Sequence, residues 1–299
     1  MIDVKEALTR AAGQLSAHPD LRPTAVADVA LLLMHSLGID RAALIAHPER
    51  PLTREQLAEI QRLVERRLRF EPIQYIIGTQ EFHGLALRVT PAVLIPRPET
   101  EILVESVLAC LKNSVPHSSQ SHRDEWNPAQ KLVRIADIGT GSGAIAIALA
   151  AHLPEAEITA LDLSPEALIV AEENAQTHHV ADRIRFLHSD LLAAVANEPP
   201  FDAIVSNPPY VPTSDAPTLH PQVRDFEPPQ ALFAGPAGLD LYARLIPQAH
   251  DLLKSNGLLA LEIGHDQRDA IAALLEGWRD VTFIPDLQQI PRVALARRR

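Results

Sequence analysis

The fold is decided by residues 133–150, which read VRIADIGTGSGAIAIALA. The first six residues form the apolar run of a buried strand, and the residues from Ala144 onward have the composition of a buried helix. Between them, the glycines at 139, 141 and 143 let the backbone approach a ligand closely at the carboxyl end of the strand. This order of strand, glycine-rich turn and helix predicts an α/β fold with a ligand at the edge of its sheet.

Strands and helices continue to alternate beyond this segment. The strand-like runs EITALDL, RIRFLHSD, FDAIVSN and GLLALEIG are separated by longer segments, and a last helix and strand pair follow. Short apolar strands joined by amphipathic helices indicate a parallel sheet that is covered on both faces. We therefore predict a Rossmann-like catalytic domain over residues 98–299, which opens with a helix from about Pro98 to Leu111.

The first 72 residues have helical periodicity throughout and predict a small helical bundle. Thr53 and Gln56 form a predicted capping box, and Gly38 is placed to end a helix. Residues 73–97 alternate polar and apolar positions between Gly and Pro, which predicts a β-hairpin linker. The polar stretch 113–131 is interpreted as a flexible insertion in the catalytic domain.

Composition narrows the classes of function. The net charge is −11, and residues 1–70 carry 10 basic and 9 acidic side chains, so the rest of the chain carries −12. That balance argues against direct binding of nucleic acid through an overall positive field. The single cysteine excludes an internal disulfide, the histidines lack metal-ligand spacing, and no signal peptide or membrane span is found. We expect a cytoplasmic enzyme with no bound metal.

The glycine loop and one acidic residue indicate a nucleoside cofactor. Asp162 ends the next strand, where its carboxylate can accept hydrogen bonds from both ribose hydroxyls. The spacing Gly139-x-Gly141-x-x-Ala144 also fits a dinucleotide, so the loop alone is compatible with a dehydrogenase. Asp137, however, would repel a pyrophosphate, whereas it can bind a cationic amino acid moiety. This combination favours S-adenosyl-L-methionine as the cofactor.

A second motif, Asn207-Pro208-Pro209-Tyr210, follows the strand FDAIVS and should face the same crevice. The Asn207 side-chain carbonyl and the Pro208 carbonyl are two acceptors on a backbone stiffened by Pro209. They can hold both hydrogens of a planar NH₂ group, and hydrogen bonds to both favour the pyramidal geometry that develops as nitrogen attacks a methyl carbon. Tyr210 offers a ring on which a planar substrate can stack.

With these motifs together, the sequence resembles the protein-(glutamine-N5) methyltransferases of peptide chain release factors, the HemK/PrmC family. The resemblance rests on NPPY, on DIGTGSGAIAIALA and on the linker stretches QYIIGTQEFHG and LIPRPETE, and it covers nearly the whole chain. It implies a class I S-adenosylmethionine-dependent methyltransferase with a mostly parallel seven-stranded sheet. It also implies that the substrate is the glutamine of the Gly-Gly-Gln motif of class I release factors, a protein partner.

The resemblance implies roles for individual residues. Leu191 stands where relatives often carry an aromatic residue, and Arg97 with Glu99 belongs to the linker that closes over the methionine end of the cofactor. The implied cofactor-binding residues are Gly139, Thr140, Gly141, Ser142, Gly143, Asp162, Asp190, Leu191, Asn207 and Arg97. The implied catalytic residues are Asn207, Pro208 and Tyr210, and the substrate-binding residues are Asn207, Pro208, Pro209 and Tyr210.

Several other functions use some of the same features. An adenine-N6 nucleic-acid methyltransferase would use the same clamp on an exocyclic amine, and a glutamine methyltransferase of a ribosomal protein would differ only in substrate. A nicotinamide-dependent oxidoreductase fits the glycine spacing but leaves Asp137 and the clamp without a role. A binding protein that has lost catalysis would not need an intact clamp. Glu262, at the end of a later strand, either lines the crevice or caps a nearby loop.

Overall fold

The computed structural model describes residues 2–112 and 132–299, so the predicted insertion at 113–131 lies outside the described residues. The described helices are α1 (Val4–Ser16), α2 (Ala25–Leu37), α3 (Arg41–Ala46), α4 (Arg54–Leu68), α5 (Ile73–Ile77), α6 (Pro98–Lys112), α7 (Ala144–His152), α8 (Pro165–Thr177), α9 (Pro221–Arg224), α10 (Asp240–Leu252) and α11 (Arg268–Leu274). The strands are β1 (Thr79–Phe82), β2 (Leu85–Arg88), β3 (Val133–Ile138), β4 (Ala156–Asp162), β5 (Ile184–His188), β6 (Phe201–Ser206), β7 (Leu253–Glu262), β8 (Arg279–Pro285) and β9 (Pro291–Arg297).

The chain divides into two compact units. One contains the chain up to Thr79 together with Leu219–Phe226, and the other contains Gln80–Thr218 and Glu227–Arg299. Among the described residues, no helix is both long enough and apolar enough to cross a bilayer.

The first unit is a bundle formed by α1 to α5 around an apolar core that includes Leu15, Leu32 and Leu63. The predicted capping box is present at the start of α4, and Gly38 ends α2 in the left-handed conformation, as predicted. A buried ion pair joins Arg67 Nε to Asp28 Oδ2 at 2.7 Å and links α4 to α2. Both charges are enclosed, so their attraction offsets part of the cost of removing them from water.

The segment 73–97 departs from the hairpin predicted over its whole length. Residues 73–77 form the short helix α5, which ends at Gly78 in the left-handed conformation. The hairpin occupies only β1 and β2, and residues 89–97 continue without regular structure up to α6. The alternation of polar and apolar residues in IQYIIG is too short to distinguish a helical turn from a strand, which explains the difference.

The second unit contains a seven-stranded sheet in the order β5-β4-β3-β6-β7-β9-β8, which confirms the predicted fold class. The pairs from β5 to β7 are parallel, and β9 is antiparallel to both β7 and β8. Chain order reverses beside β3, because β4 lies on one side of it and β6 on the other. Open α/β sheets bind ligands at such a reversal, at the carboxyl ends of the strands.

Alternate residues of the central strands enter two apolar cores, one on each face of the sheet. Ile135 on β3 packs with α6 and α7, whereas the next residue, Ala136, packs with the side of α10 that carries Tyr242 and Leu245. Strands that are buried on both faces read as continuous apolar runs, as residues 133–138 do. The two layers of helices hold the strand ends rigidly and therefore fix the loops that leave them.

Candidate active site

A cavity opens at the carboxyl ends of β3, β4 and β6, where the sequence predicted the cofactor crevice. It holds about 830 Å³ of space between atoms, part of it open to solvent. That volume is within the range of sites for small molecules. One wall comes from residues 92–94, which precede α6. Another comes from Pro228, Gln230 and Ala231, of which Gln230 adds a polar side chain. Neither wall was predicted as part of the site.

The glycine loop follows β3 and forms the floor of the cavity through Gly139 and Gly141. Gly143 serves packing instead: a Cβ there would lie 2.9 Å from Ile147 Cδ1 and 3.2 Å from Ala171 Cβ, at a φ of +82°. Thr140 and Ser142 are also buried and do not line the cavity, in contrast to their predicted contact with the cofactor. The loop presents backbone to the cavity and turns these side chains inward.

The two acidic residues of the predicted cofactor site have different surroundings. Asp162 lines the cavity, and its carboxylate accepts hydrogen bonds from the backbone N–H groups of Gly141 at 2.8 Å and Ser164 at 2.9 Å. Burial raises the pKa of Asp162, and those backbone hydrogen bonds oppose the rise. The carboxylate therefore fixes the loop while it remains at the cavity surface.

Asp137 is fully buried behind the glycine loop. Its Oδ2 accepts a hydrogen bond from the Thr140 hydroxyl at 2.7 Å, whereas its Oδ1 has no hydrogen-bond partner in the described part of the chain. Burial raises the pKa of Asp137 to about 7. An unpaired carboxylate oxygen in such a place would be satisfied by a cationic group, so it fits the amino group of an amino acid moiety.

Asp190 and Leu191 follow β5 and both line the cavity. Asp190 Oδ2 forms an exposed ion pair with Arg244 Nη2 at 2.6 Å. Leu191 has a φ of +52°, which is rare for a residue with a branched side chain, and its side chain joins the core beneath the cavity. Non-glycine residues in this conformation concentrate at functional sites, where the surrounding structure holds them.

The clamp motif lies directly beside the glycine loop, because Ser206 pairs with Ile138 across the parallel strands β6 and β3. Asn207, Pro208 and Pro209 all line the cavity. The amide nitrogen Nδ2 of Asn207 donates a hydrogen bond to Thr100 Oγ1 at 3.1 Å. The side-chain oxygen is on the opposite side of that amide.

Tyr210, the last residue of the clamp, is not among the residues that line the cavity. Its hydroxyl points to Glu262 Oε1 at 3.4 Å, and its backbone carbonyl accepts a hydrogen bond from Gln267 Nε2 at 3.0 Å. Burial raises the pKa of Tyr210, and the neighbouring Glu262 carboxylate raises it further. The ring is therefore held by the core side of the site, and Gln267 fixes the backbone at the end of the motif.

Arg97 does not line the cavity either, although it was predicted to bind the cofactor. Its Nη2 donates to Glu227 Oε1 at 2.6 Å, and the Glu227 side chain is almost completely enclosed. Burial raises the pKa of Glu227, and the charge of Arg97 opposes the rise. This ion pair connects the two segments that lead into the walls at 92–94 and 228–231. In the sequence, the acidic residue Glu227 beside two prolines in DFEPPQ was the available signal for this contact, but nothing in that pattern identifies Arg97 as its partner.

The residues present fit a nucleoside cofactor with an amino acid moiety. The cavity has the required size, the Asp162 carboxylate on its wall and a backbone floor, and the unpaired oxygen of Asp137 lies directly behind that floor. Six of the ten predicted cofactor residues line it: Gly139, Gly141, Asp162, Asp190, Leu191 and Asn207.

Comparison with known proteins supports this assignment. Residues 6–78 match the PrmC N-terminal domain, and residues 127–220 match the methyltransferase small domain. The fold is also similar to that of the T. thermophilus 16S rRNA methyltransferase RsmC in complex with AdoMet and guanosine, with a TM-score of 0.51 and 18% identity over 74% of this chain and 50% of that chain. Fold, cavity and matched models define the chain as a class I S-adenosylmethionine-dependent methyltransferase.

Curated relatives narrow the class further. The chain is 42% identical to the release factor glutamine methyltransferase of Koribacter versatilis, over 99% of this chain and 98% of the relative. It is 40% identical to the protein of the same description from Coxiella burnetii, over 100% of both chains. The chain belongs to the family of release factor glutamine methyltransferases.

Proposed function

We propose that the enzyme transfers a methyl group from S-adenosyl-L-methionine to the side-chain amide nitrogen of the glutamine in the Gly-Gly-Gln motif of class I peptide chain release factors. The observation that carries the proposal is the orientation of Asn207 at the cavity wall. Because its Nδ2 donates to Thr100, its oxygen is left as the acceptor for a substrate N–H. Family membership supports the choice of a release factor as the protein that supplies this group.

An amide nitrogen is a weak nucleophile because its lone pair is delocalised into the carbonyl group. In the proposed mechanism, Asn207 Oδ1 and the Pro208 carbonyl accept hydrogen bonds from the two amide hydrogens. Both bonds strengthen as the nitrogen becomes pyramidal, so they stabilise the transition state more than the ground state. Pro209 keeps the two acceptors in fixed positions, which lowers the entropic cost of alignment.

When bound, S-adenosylmethionine supplies an electrophilic methyl carbon on its sulfonium. Asp162 would bind the ribose hydroxyls, and Gly139 and Gly141 would support the cofactor through their backbone. Asp137, buried directly behind the glycine loop, would favour a cationic amino group at that end of the cavity through its charge, and Asp190 with Leu191 would lie along the base. Thr140, Ser142 and Gly143 would shape the loop from behind, and Arg97 would act on the cavity wall through Glu227. Tyr210 would hold the end of the clamp motif in place through its contacts with Glu262 and Gln267.

The substrate is a protein, so a surface beyond the cavity must contribute to its binding. We assign that task to the helical unit, whose counterpart in the family has its own matched domain. We also propose that the reaction takes place in the cytoplasm, where translation factors are made and used.

Incubation of the purified chain with tritiated S-adenosylmethionine tests this proposal. The acceptors are unmodified release factor, its Gly-Gly-Gln to Gly-Gly-Ala variant, ribosomes and adenine-rich DNA, each in a separate reaction. Label only in the intact release factor supports the proposal. Label in ribosomes or in DNA would retain the clamp chemistry and overturn the assigned substrate, and label in the Gly-Gly-Ala variant would overturn the assigned target residue.

A further inference from the structure

We infer that Thr100 is a positioning residue that fixes the orientation of the Asn207 amide for methyl transfer. The inference rests on the proposed function, since it assigns a cause to the acceptor role of Asn207. Thr100 belongs to the stretch LIPRPETE and is the third residue of α6, and Glu262 is the last residue of β7. Neither residue was assigned this role from the sequence.

An asparagine amide presents oxygen on one side and NH₂ on the other, and the two ends are similar in size. A flip about the last side-chain bond would replace the acceptor at the cavity with a donor. A donor would repel the hydrogens of the substrate amide and leave its own hydrogens unpaired. A clamp built on asparagine therefore requires a second contact that distinguishes the two ends.

Thr100 supplies that contact. Its side chain is 4% exposed, and its Oγ1 accepts a hydrogen bond from Asn207 Nδ2 at 3.1 Å. A hydroxyl has one hydrogen and two acceptor sites, so it can accept from an amide only while its hydrogen is directed elsewhere. If the hydrogen pointed to Asn207 instead, the flipped amide would be favoured.

Glu262 provides the second partner for that hydrogen. Its side chain is 2% exposed, and a hydrogen bond from Thr100 to the carboxylate lowers its pKa, opposing the larger effect of burial. A carboxyl oxygen that carries no proton only accepts hydrogen bonds, so it directs the Thr100 hydrogen away from Asn207. Other groups that face this carboxylate are the Tyr210 hydroxyl at 3.4 Å and the charges of Glu99 and Arg292. The donor-to-acceptor direction of the two hydrogen bonds thus runs from Asn207 through Thr100 to Glu262.

A double-mutant cycle on Thr100 and Asn207 tests the inference. Thr100→Val keeps the shape of the side chain and removes the hydroxyl, and it should lower kcat by about 10-fold to 100-fold through misorientation of the acceptor. Because Thr100 acts through Asn207, the same change in an Asn207→Ala background should lower kcat by less than about twofold. The rate of release factor methylation in a single turnover is measured for the wild type, Thr100→Val, Asn207→Ala and the double variant.

Two control variants separate positioning from folding. Thr100→Ser retains the hydroxyl and should keep most of the wild-type kcat. Thr159→Val removes a buried threonine hydroxyl from β4, outside the cavity, and should leave kcat unchanged. Cofactor affinity, measured by titration with S-adenosylmethionine, should stay within about threefold in Thr100→Val, because Thr100 is not among the cavity-lining residues.

Each result has one meaning. A loss of kcat that is equal in the wild-type and Asn207→Ala backgrounds would overturn the inference, as would a Thr100→Ser enzyme as impaired as Thr100→Val. A wild-type chain that binds the cofactor but methylates no release factor would instead contradict the proposed function. The positioning role is supported if Thr100→Val lowers kcat only in the background that retains Asn207, and if Thr100→Ser keeps most of the wild-type kcat.

Discussion

Replacement of Glu262 by glutamine should make the protein more stable at alkaline pH while it weakens the orientation of the clamp. Glu262 is buried at the end of β7, and its Oε2 has no hydrogen-bond partner within residues 2–112 and 132–299. Burial raises the pKa of this carboxyl from 4.5 to about 7. Glutamine has the same shape and carries no charge, so it removes the cost of ionisation in the folded state.

The sign and size of the effect follow from proton linkage. Between the unfolded pKa of 4.5 and the folded pKa of about 7, the folded protein binds more protons than the unfolded chain, so stability falls as pH rises. From pH 5 to pH 8 this one group should remove about 2–3 kcal/mol from the free energy of unfolding of the wild-type protein. Glu262→Gln does not lose this free energy. The difference in free energy of unfolding between Glu262→Gln and the wild type should therefore grow by the same amount from pH 5 to pH 8.

Urea unfolding of both proteins at pH 5, 6, 7 and 8, without cofactor, measures this difference. Asp137, whose pKa is also raised to about 7, contributes equally to both proteins and cancels. Glu157→Gln, which changes an exposed carboxyl on β4, is the matched control. Its difference in free energy of unfolding from the wild type should not grow comparably between pH 5 and pH 8. A difference between Glu262→Gln and wild type that stays constant from pH 5 to pH 8 would refute the argument that Glu262 is ionised at a cost.

Three further substitutions test separate parts of the site. Asn207→Ala removes one acceptor of the clamp and should lower kcat by about 10²-fold while cofactor affinity changes less, and turnover that survives at saturating cofactor would contradict its role. Asp162→Ala should do the reverse and weaken S-adenosylmethionine binding by about 10-fold or more in calorimetric titration, so unchanged binding would contradict the ribose contact. Gly238→Ala should lower the free energy of unfolding by about 1–3 kcal/mol, because its Cβ would lie 2.1 Å from the Tyr210 carbonyl oxygen at a φ of +69°. Gly13→Ala, where a Cβ meets open space, is its control and should not destabilise the protein.

The features that the sequence predicts best are those with local causes. The apolar run 133–138 and the glycine turn identify the strand and the loop, and the order of strands brings Asn207 beside Gly139 because parallel strands end at the same edge. Thr53, Gln56 and Gly38 define helix ends through contacts within a few residues of themselves. Such contacts require no knowledge of the distant parts of the chain.

The features that it does not predict depend on contacts between distant segments. Arg97 was expected at the cofactor, but its partner, Glu227, is 130 residues away and is identified only when the chain has folded. Thr100 and Asn207 are separated by 107 residues, and Tyr210 and Glu262 by 52. Thr140 and Ser142 illustrate a different limit, because a loop motif does not indicate which of its side chains point inward.

The proposed reaction places the methyl group on one atom, the side-chain nitrogen of the glutamine in Gly-Gly-Gln. Peptide mass spectrometry of an unmodified release factor after incubation with the enzyme and S-adenosylmethionine tests it most directly, with Asn207→Ala as the control. We predict a mass increase of one methyl group on that glutamine, fragment ions that place it on the side chain, and a greatly reduced yield with Asn207→Ala. An unmodified Gly-Gly-Gln peptide, or a methyl group on another residue, would contradict it.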